Sequence, residues 1–231
     1  MSEKKRIIVT IDGPSGVGKS TISRRLASML RFTYLDTGAM YRAVALKCQE
    51  LAVDFSDEEK IGKILEGINL QFAPAESTDS EVRVFLDNRE VSDAIRTPEM
   101  SMLASKVSAL GVVRAKLTFL QQQMGAGGEV VIEGRDTGTV VFPDAAFKFY
   151  LDATPEERAR RRILQLRERK IECDEQEILR QIIKRDRDDE QRTIAPLKKA
   201  ADAVVIDTTG IDVDQVLEKM ASRVKSAKTI Y

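Results

Sequence analysis

The stretch that most limits what this chain can become is Gly13-Pro14-Ser15-Gly16-Val17-Gly18-Lys19-Ser20, which fits G-x-x-x-x-G-K-[ST] without a gap. It follows Ile7 to Ile11 (IIVTI), a β-branched run of the kind that fills buried parallel strands. It precedes Lys19 to Arg31, where Ile22, Leu26, Met29 and Leu30 recur at helical spacing. Strand, glycine loop and helix in that order are what a phosphate loop needs. The glycines let the backbone bend so that its N–H groups point inward at phosphate oxygens, and the helix adds the positive end of its dipole. Gly13, Pro14, Ser15, Gly16, Val17, Gly18, Lys19, Ser20 and Thr21 are therefore expected to bind ATP. Lys19 would reach the β- and γ-phosphates, the Ser20 hydroxyl would join the shell of a Mg²⁺ ion, and Thr21 adds a second hydroxyl. A dinucleotide fingerprint is the competing pattern, since Gly16-Val17-Gly18 could begin one and Asp36 lies about 20 residues beyond the loop. Thr21 replaces its third glycine, and the Lys-Ser pair favours a nucleoside triphosphate.

Further along, Phe32 to Leu35 reads as a second strand and Ala39 to Leu51 as a second helix, and Ser56 with Glu59 is a capping-box pattern opening a third. Asn69 to Phe72, Val82 to Leu86 and Glu90 to Val91 read as short strands, the last two joined across Asp87 and Asn88 as a hairpin. Thr97 and Pro98 supply an N-cap and first-turn proline for a helix broken near Gly111 and resumed to Met124. This middle stretch reads as an inserted lobe. Strand-helix alternation returns with Val130 to Glu133, Phe147 to Leu151, a helix opened by Thr154, Pro155 and Glu156, then Val204 to Asp207 and a helix from Asp212. The expected fold is α/β, with a parallel sheet covered by helices on both faces.

Composition narrows the chemistry. There is no histidine among the 231 residues, which removes Ser-His and Cys-His nucleophile pairs, histidine metal sites and an imidazole base. Cys48 and Cys173 are too few for a zinc cage and far apart, as expected of reduced thiols in a cytoplasmic protein. The 37 basic residues balance the 37 acidic ones, which argues against a nucleic-acid polymer as partner. No apolar run approaches the roughly 20 residues of a transmembrane helix, and MSEKKR leads into a short strand with no long apolar signal core, so no membrane association is expected.

Two other catalytic classes can be weighed from motifs. Asp36-Thr37-Gly38 and Asp136-Thr137-Gly138 could be the paired loops of an aspartic protease, whose carboxylates share a proton. The first is followed by a helical pattern, Glu133-Gly134-Arg135 precedes the second, and the chain is not all-β. Asp207-Thr208-Thr209-Gly210 fits the D-x-x-G of a GTPase switch, but no N-K-x-D or T-K-x-D base-reading motif occurs. A kinase acting on a phosphorylated acceptor fits better. Tyr41 and Arg42 after the first triplet, and Arg135 with Asp136 after the strand at 130–132, put arginines at strand-to-helix junctions. A planar guanidinium there can hold a second phosphate bidentately.

The blocks IDGPSGVGKST, YLDTGAMYR, EGRDTGTVVFPDA, ERARRRILQLRERK and RDRDDEQRTIAPLKKAADA, in that order over nearly the whole chain, resemble the bacterial cytidylate kinase family, nucleoside monophosphate kinases acting on CMP and dCMP. The resemblance implies a P-loop kinase core (1–36, 125–153 and 193–231), a monophosphate-binding lobe with a small antiparallel sheet (about 37–124) and an arginine-rich lid with its flanking helices (about 154–192). It implies that Thr37, Ser105, Arg114 and Asp136 surround the cytosine and that Tyr41 lines the monophosphate site. It implies further that Arg42, Arg135 and Arg192 hold the acceptor phosphate, with Arg185 and Asp189 near the sugar and phosphates. Cytosine suits a carboxylate: its exocyclic amine donates to Asp136, while its N3 and O2 accept from Ser105 and Arg114, and uracil presents an acceptor instead of the amine.

The reaction expected is Mg²⁺-dependent transfer of the ATP γ-phosphoryl group to CMP or dCMP by a monomer. The nucleophile is a phosphate oxygen whose second pKa is about 6, so no general base is required. In the lid, Arg158, Arg161 and Arg162 are expected to close on the transferring group with Lys19, although Arg161 and Arg162 point in different directions on a helix. Another small-molecule P-loop kinase, for a different nucleotide or shikimate, is the alternative.

Overall fold

The β-branched run forms strand β1 over Ile8–Asp12, and helix α1 starts at Lys19 and ends at Leu30. The computed structural model of the chain describes residues 7–73, 81–168 and 170–228. Helix α1 stops because Arg31 turns into the left-handed region at φ 58°, where the Phe32 N–H reaches back to the Ala27 carbonyl at 2.8 Å. The chain divides into two compact units, one drawn from residues 1–35 and 127–231, the other being Asp36–Ala126.

The first unit is organised by a five-stranded sheet. Its strands are β1, β2 (Thr33–Asp36), β6 (Val130–Gly134), β7 (Phe147–Asp152) and β8 (Val204–Asp207), in the order β2-β6-β1-β7-β8. β1 is parallel to both β6 and β7, with Asp12 level with Gly134 and with Tyr150, and β7 is parallel to β8. Ile22, Leu26 and Leu30 of α1 pack with Val9, Ile11, Phe149 and Leu151 of the strands and with Val216, Leu217, Met220 and Val224 of α8 (Val213–Lys228). All five residues of β6 are buried, as a strand covered on both faces must be. Burying a large aliphatic side chain contributes about 1.5–3 kcal/mol, so this cluster is what holds the sheet and its phosphate loop in place. Two further helices, α6 (Pro155–Glu168) and α7 (Glu175–Gln191), pack against each other.

The second unit holds α2 (Thr37–Glu50), α3 (Glu58–Glu66), an antiparallel sheet of β3 (Leu70–Ala73), β4 (Arg83–Leu86) and β5 (Arg89–Glu90), then α4 (Pro98–Val107) and α5 (Gly111–Gly125). Asp87 and Asn88 both have positive φ, 51° and 67°, as the two central residues of a type I′ hairpin require. Thr97 caps α4 as its sequence predicts, its hydroxyl accepting from the Met100 N–H at 3.1 Å with Pro98 in the first turn.

Three local expectations change. Helix α2 begins at Thr37, not Ala39, because Asp36 caps it. Helix α3 is capped by Asp57, whose carboxylate accepts from the Lys60 N–H at 2.9 Å, and not by Ser56. Asp54 accepts from the Ser56 N–H and holds that residue in the preceding turn. After β6, Thr137–Val141 form one turn of π-helix where no regular element is expected.

Candidate active site

In the first unit, the phosphate loop leaves the carboxyl end of β1, at the centre of the sheet. Gly13 has φ 148°, and a Cβ there would come within 2.1 Å of the Leu151 carbonyl oxygen, so only glycine fits. Lys19 is buried, and its ammonium donates to the carbonyls of Gly13 at 2.8 Å and Pro14 at 2.6 Å. Burial first, then the Arg135 guanidinium, push the Lys19 amine well below its ordinary pKa, against the pull of Glu133 and Asp12. Val17 is buried, Ser20 half-buried and Thr21 exposed at the start of α1.

Two arginines of α6 reach the back of this loop. Arg158 is almost fully buried; it donates to the Ser15 carbonyl at 3.1 Å and forms a bidentate pair with Asp186 at 2.9 and 2.6 Å. Arg161 donates to the Val17 carbonyl at 3.4 Å and to the Thr208 carbonyl at 2.6 Å, with Glu157 on its Nε. Arg162, the next residue, is half-buried. In the structure, then, Arg158 and Arg161 are tied to loop carbonyls and to carboxylates instead of standing as an open row of cations.

Helix α7 and the turn after β6 bring together Arg135, Asp136, Asp189 and Arg192. Arg135 donates to Asp189 at 2.9 Å, and Arg192 lies 3.8 Å from the Asp136 carboxylate. Burial alone would raise the Asp189 pKa, but Arg135 and Arg185 outweigh it and hold that carboxyl below its ordinary value. The Arg135 pKa rises for the complementary reason: burial would lower it, and Asp189 more than compensates. Four cationic side chains act on this one cluster, Lys19 through Arg135 and Arg185, and Arg135, Arg185 and Arg192 through Asp189, a concentration of positive charge suited to binding phosphate.

In the second unit, Asp36 accepts from the Ala39 N–H at 2.9 Å and pairs with Arg42 at 3.1 Å, so Arg42 is anchored at the start of its own helix. Thr37 and Tyr41 are buried beside it on α2. The Arg114 guanidinium lies over the Tyr41 ring, 5.8 Å from its centroid, and also donates to the Ser108 carbonyl at 3.2 Å. Ser105 is half-buried, and its carbonyl accepts from the Ser108 hydroxyl. Thr37, Tyr41, Arg42 and Arg114 therefore lie on one packed pair of helices, α2 and α5, with Ser105 on the neighbouring α4.

The family model described as "Cytidylate kinase" matches residues 9–226, nearly all of the described chain. The chain belongs to the cytidylate kinase family. It is similar to the cytidylate kinase of Syntrophotalea carbinolica, 48% identical over 94% of this chain and 91% of that one. It is also similar to that of Citrifermentans bemidjiense, 47% identical over 95% and 93%. Among solved structures it shares its fold with an uncharacterized protein from Eubacterium ventriosum, at TM-score 0.53 and 13% identity over 96% and 99% of the two chains.

For a member of the cytidylate kinase family, three further buried polar residues stand out, Asp12, Glu133 and Thr208. Asp12 ends β1 and binds the turn after Asp136. Glu133, near the end of β6, accepts from the Tyr34 hydroxyl and acts electrostatically on Lys19. The Thr208 hydroxyl donates to the Asp152 carbonyl at 3.0 Å and, at 3.3 Å, lies on the Val17 carbonyl of the loop. The signal in sequence is positional: an acidic residue at the carboxyl end of an apolar strand faces the ligand side of an open α/β sheet.

Proposed function

We propose that the chain transfers the γ-phosphoryl group of ATP to the 5′-phosphate of CMP or dCMP, giving ADP and CDP or dCDP. The observation that carries the reading is the buried Lys19 on its glycine loop, at the head of the sheet, in a chain whose cytidylate kinase relatives match over nine-tenths of its length. In the reaction an acceptor phosphate oxygen forms the new P–O bond as the bond from the γ-phosphorus to the β-bridging oxygen breaks, and the ADP leaves with the electron pair. Catalysis is positioning and charge stabilisation.

The roles divide by unit. On the first, Gly13 to Thr21 bind the ATP phosphates, Lys19 leaves its loop carbonyls for the β- and γ-oxygens, and α6 with α7 act as the lid. Arg158, Arg161 and Arg162 supply its positive charge to the transferring group, Arg135 and Arg192 hold the acceptor phosphate, and Arg185 and Asp189 lie near the sugar and phosphates. Asp136 takes the cytosine amine. On the second, Arg42 binds the acceptor phosphate, Tyr41 lines its site, and Thr37, Ser105 and Arg114 complete the recognition of the base.

The donor set fits Mg²⁺ carried in with the nucleotide. Among the described residues no group of three or more carboxylates and thiols could cage a metal, and Ser20, a hard oxygen donor, stands half-buried directly after Lys19. Ser20 would hold the ion, which would supply charge neutralisation to the nucleotide phosphates. The protein is proposed to work as a monomer in the cytoplasm, on free nucleotides, with neither a nucleic-acid polymer nor a membrane as partner. The balanced charge argues against a nucleic-acid polymer as partner, and no helix among the described residues is long and apolar enough to cross a membrane.

The test is ADP release with CMP, dCMP, UMP, AMP, GMP and shikimate as acceptors. CMP and dCMP are expected to be phosphorylated far faster than the rest, and the Lys19→Ala variant is expected to lose turnover with all of them. Preference for shikimate or a purine monophosphate would overturn the reading.

A further inference from the structure

A carboxylate outside the proposed substrate-binding set holds the segment that carries Asp136. Asp12 is the last residue of β1, directly before Gly13 of the phosphate loop. One of its oxygens, Oδ1, accepts from the Thr137 N–H at 2.9 Å and from the Thr137 hydroxyl at 2.8 Å. The other, Oδ2, accepts from the Gly138 N–H at 2.7 Å. Donors 125 and 126 positions away in the chain thus converge on one buried side chain. They are the first two amides of the π-helical turn, groups that no carbonyl inside the turn can satisfy. The cap residue by position, Asp136, makes no side-chain hydrogen bond to its own turn. There is also no slack: a Cβ on Gly138 would lie 2.8 Å from the Thr10 hydroxyl and 3.3 Å from Asp12 Oδ2.

We infer that Asp12 is a positioning residue for base selection: by capping the Thr137–Val141 turn in place of Asp136, it directs the Asp136 carboxylate to the cytosine amine. The inference rests on the reading of Asp136 as the group that takes that amine. Burial, the largest influence, raises the Asp12 carboxyl pKa, and the Gly138 and Thr137 donors oppose that rise. Its place in the chain also gives it a second consequence. The residue that orients the base-reading turn is covalently joined to the ATP loop, so both subsites are aligned from one strand end.

The experiment measures kcat/KM for CMP and for UMP in Asp12→Asn, Thr137→Val and Asp136→Ala, and in the double variant Asp12→Asn/Asp136→Ala. The Asn amide keeps the size of Asp12 but turns a donor toward one of the three donors now bound there. The CMP-to-UMP preference is expected to fall about tenfold or more in Asp12→Asn, and about threefold in Thr137→Val, which deletes a single bond and keeps the shape. In the Asp136→Ala background, Asp12→Asn should lower the preference no further, a non-additivity that a general loss of stability would not produce. If Asp136→Ala lowers the preference while folded Thr137→Val and Asp12→Asn retain it, the role of Asp12 is overturned and the reading of Asp136 stands. If Asp136→Ala itself retains the preference, both fall. Should Asp12→Asn not fold, an unchanged preference in Thr137→Val overturns the inference and a reduced one supports it.

Discussion

Asp36-Thr37-Gly38 and Asp136-Thr137-Gly138 are the same three residues, each placed at the carboxyl end of a strand of the parallel sheet, yet their aspartates are held in opposite ways. Asp36 serves its own helix, with one oxygen on the Ala39 amide and the other on Arg42. Asp136 leaves the amides of its turn to Asp12 and faces the Arg192 guanidinium across 3.8 Å. A short motif therefore does not determine a role. What decides is whether the amides that follow are capped from within the motif or from elsewhere. In the first triplet the aspartate is structural and the arginine it anchors is proposed to meet substrate; in the second the aspartate itself is.

Substituting the two aspartates should expose that difference most strongly. Asp136→Ala is expected to lower kcat/KM for CMP by about three orders of magnitude, because cytosine would bury an unpaired amine, while its melting temperature changes little. Steady-state kinetics alongside thermal unfolding checks both halves. Gly138→Ala comes next: the added methyl meets the Thr10 hydroxyl at 2.8 Å and the Asp12 carboxylate, itself held by three hydrogen bonds, at a cost of about 1–3 kcal/mol in stability together with weaker CMP use. Asp36→Ala should cost about 0.5–2 kcal/mol of stability through loss of its cap, read by denaturant unfolding, and raise KM for CMP by releasing Arg42. Gly38→Ala has the smallest effect. Its methyl would meet the Arg42 Nη1 at 3.0 Å and the Asp36 Oδ1 at 3.1 Å, and the higher helix propensity of alanine offsets part of that crowding, so stability should change by less than about 1 kcal/mol. A Gly38→Ala penalty as large as that of Gly138→Ala would break the comparison.

The same contrast explains how far the sequence could be read. Features governed by neighbours along the chain were legible: the β-branched strand before Gly13, the Thr97-Pro98 start of α4 and the Asp87-Asn88 hairpin all appear where their residues place them. Where two neighbouring residues compete, local rules are weaker. Ser56 and Asp57 can each cap a helix, and the bond from the Ser56 amide to Asp54 decides for Asp57. The π-helical turn was not legible, since its cap lies 125 positions upstream and its residues carry no apolar repeat. The same holds for Asp12 and Glu133: their neighbours in space, not in sequence, make them polar groups of the site. Arg158 and Arg161 show the reverse case. Their cationic spacing was visible, but their ties to Asp186, Glu157 and the loop carbonyls required the fold.

The Asp136 carboxylate is proposed to take the exocyclic amine of cytosine while Asp12 holds the turn beneath it. A crystal structure of the protein with CMP bound tests this most directly. The cytosine amine is expected within about 3 Å of an Asp136 oxygen, with the three Asp12 hydrogen bonds to Thr137 and Gly138 intact. A CMP whose amine points away from Asp136, or an Asp12 carboxylate turned off that turn, would contradict it.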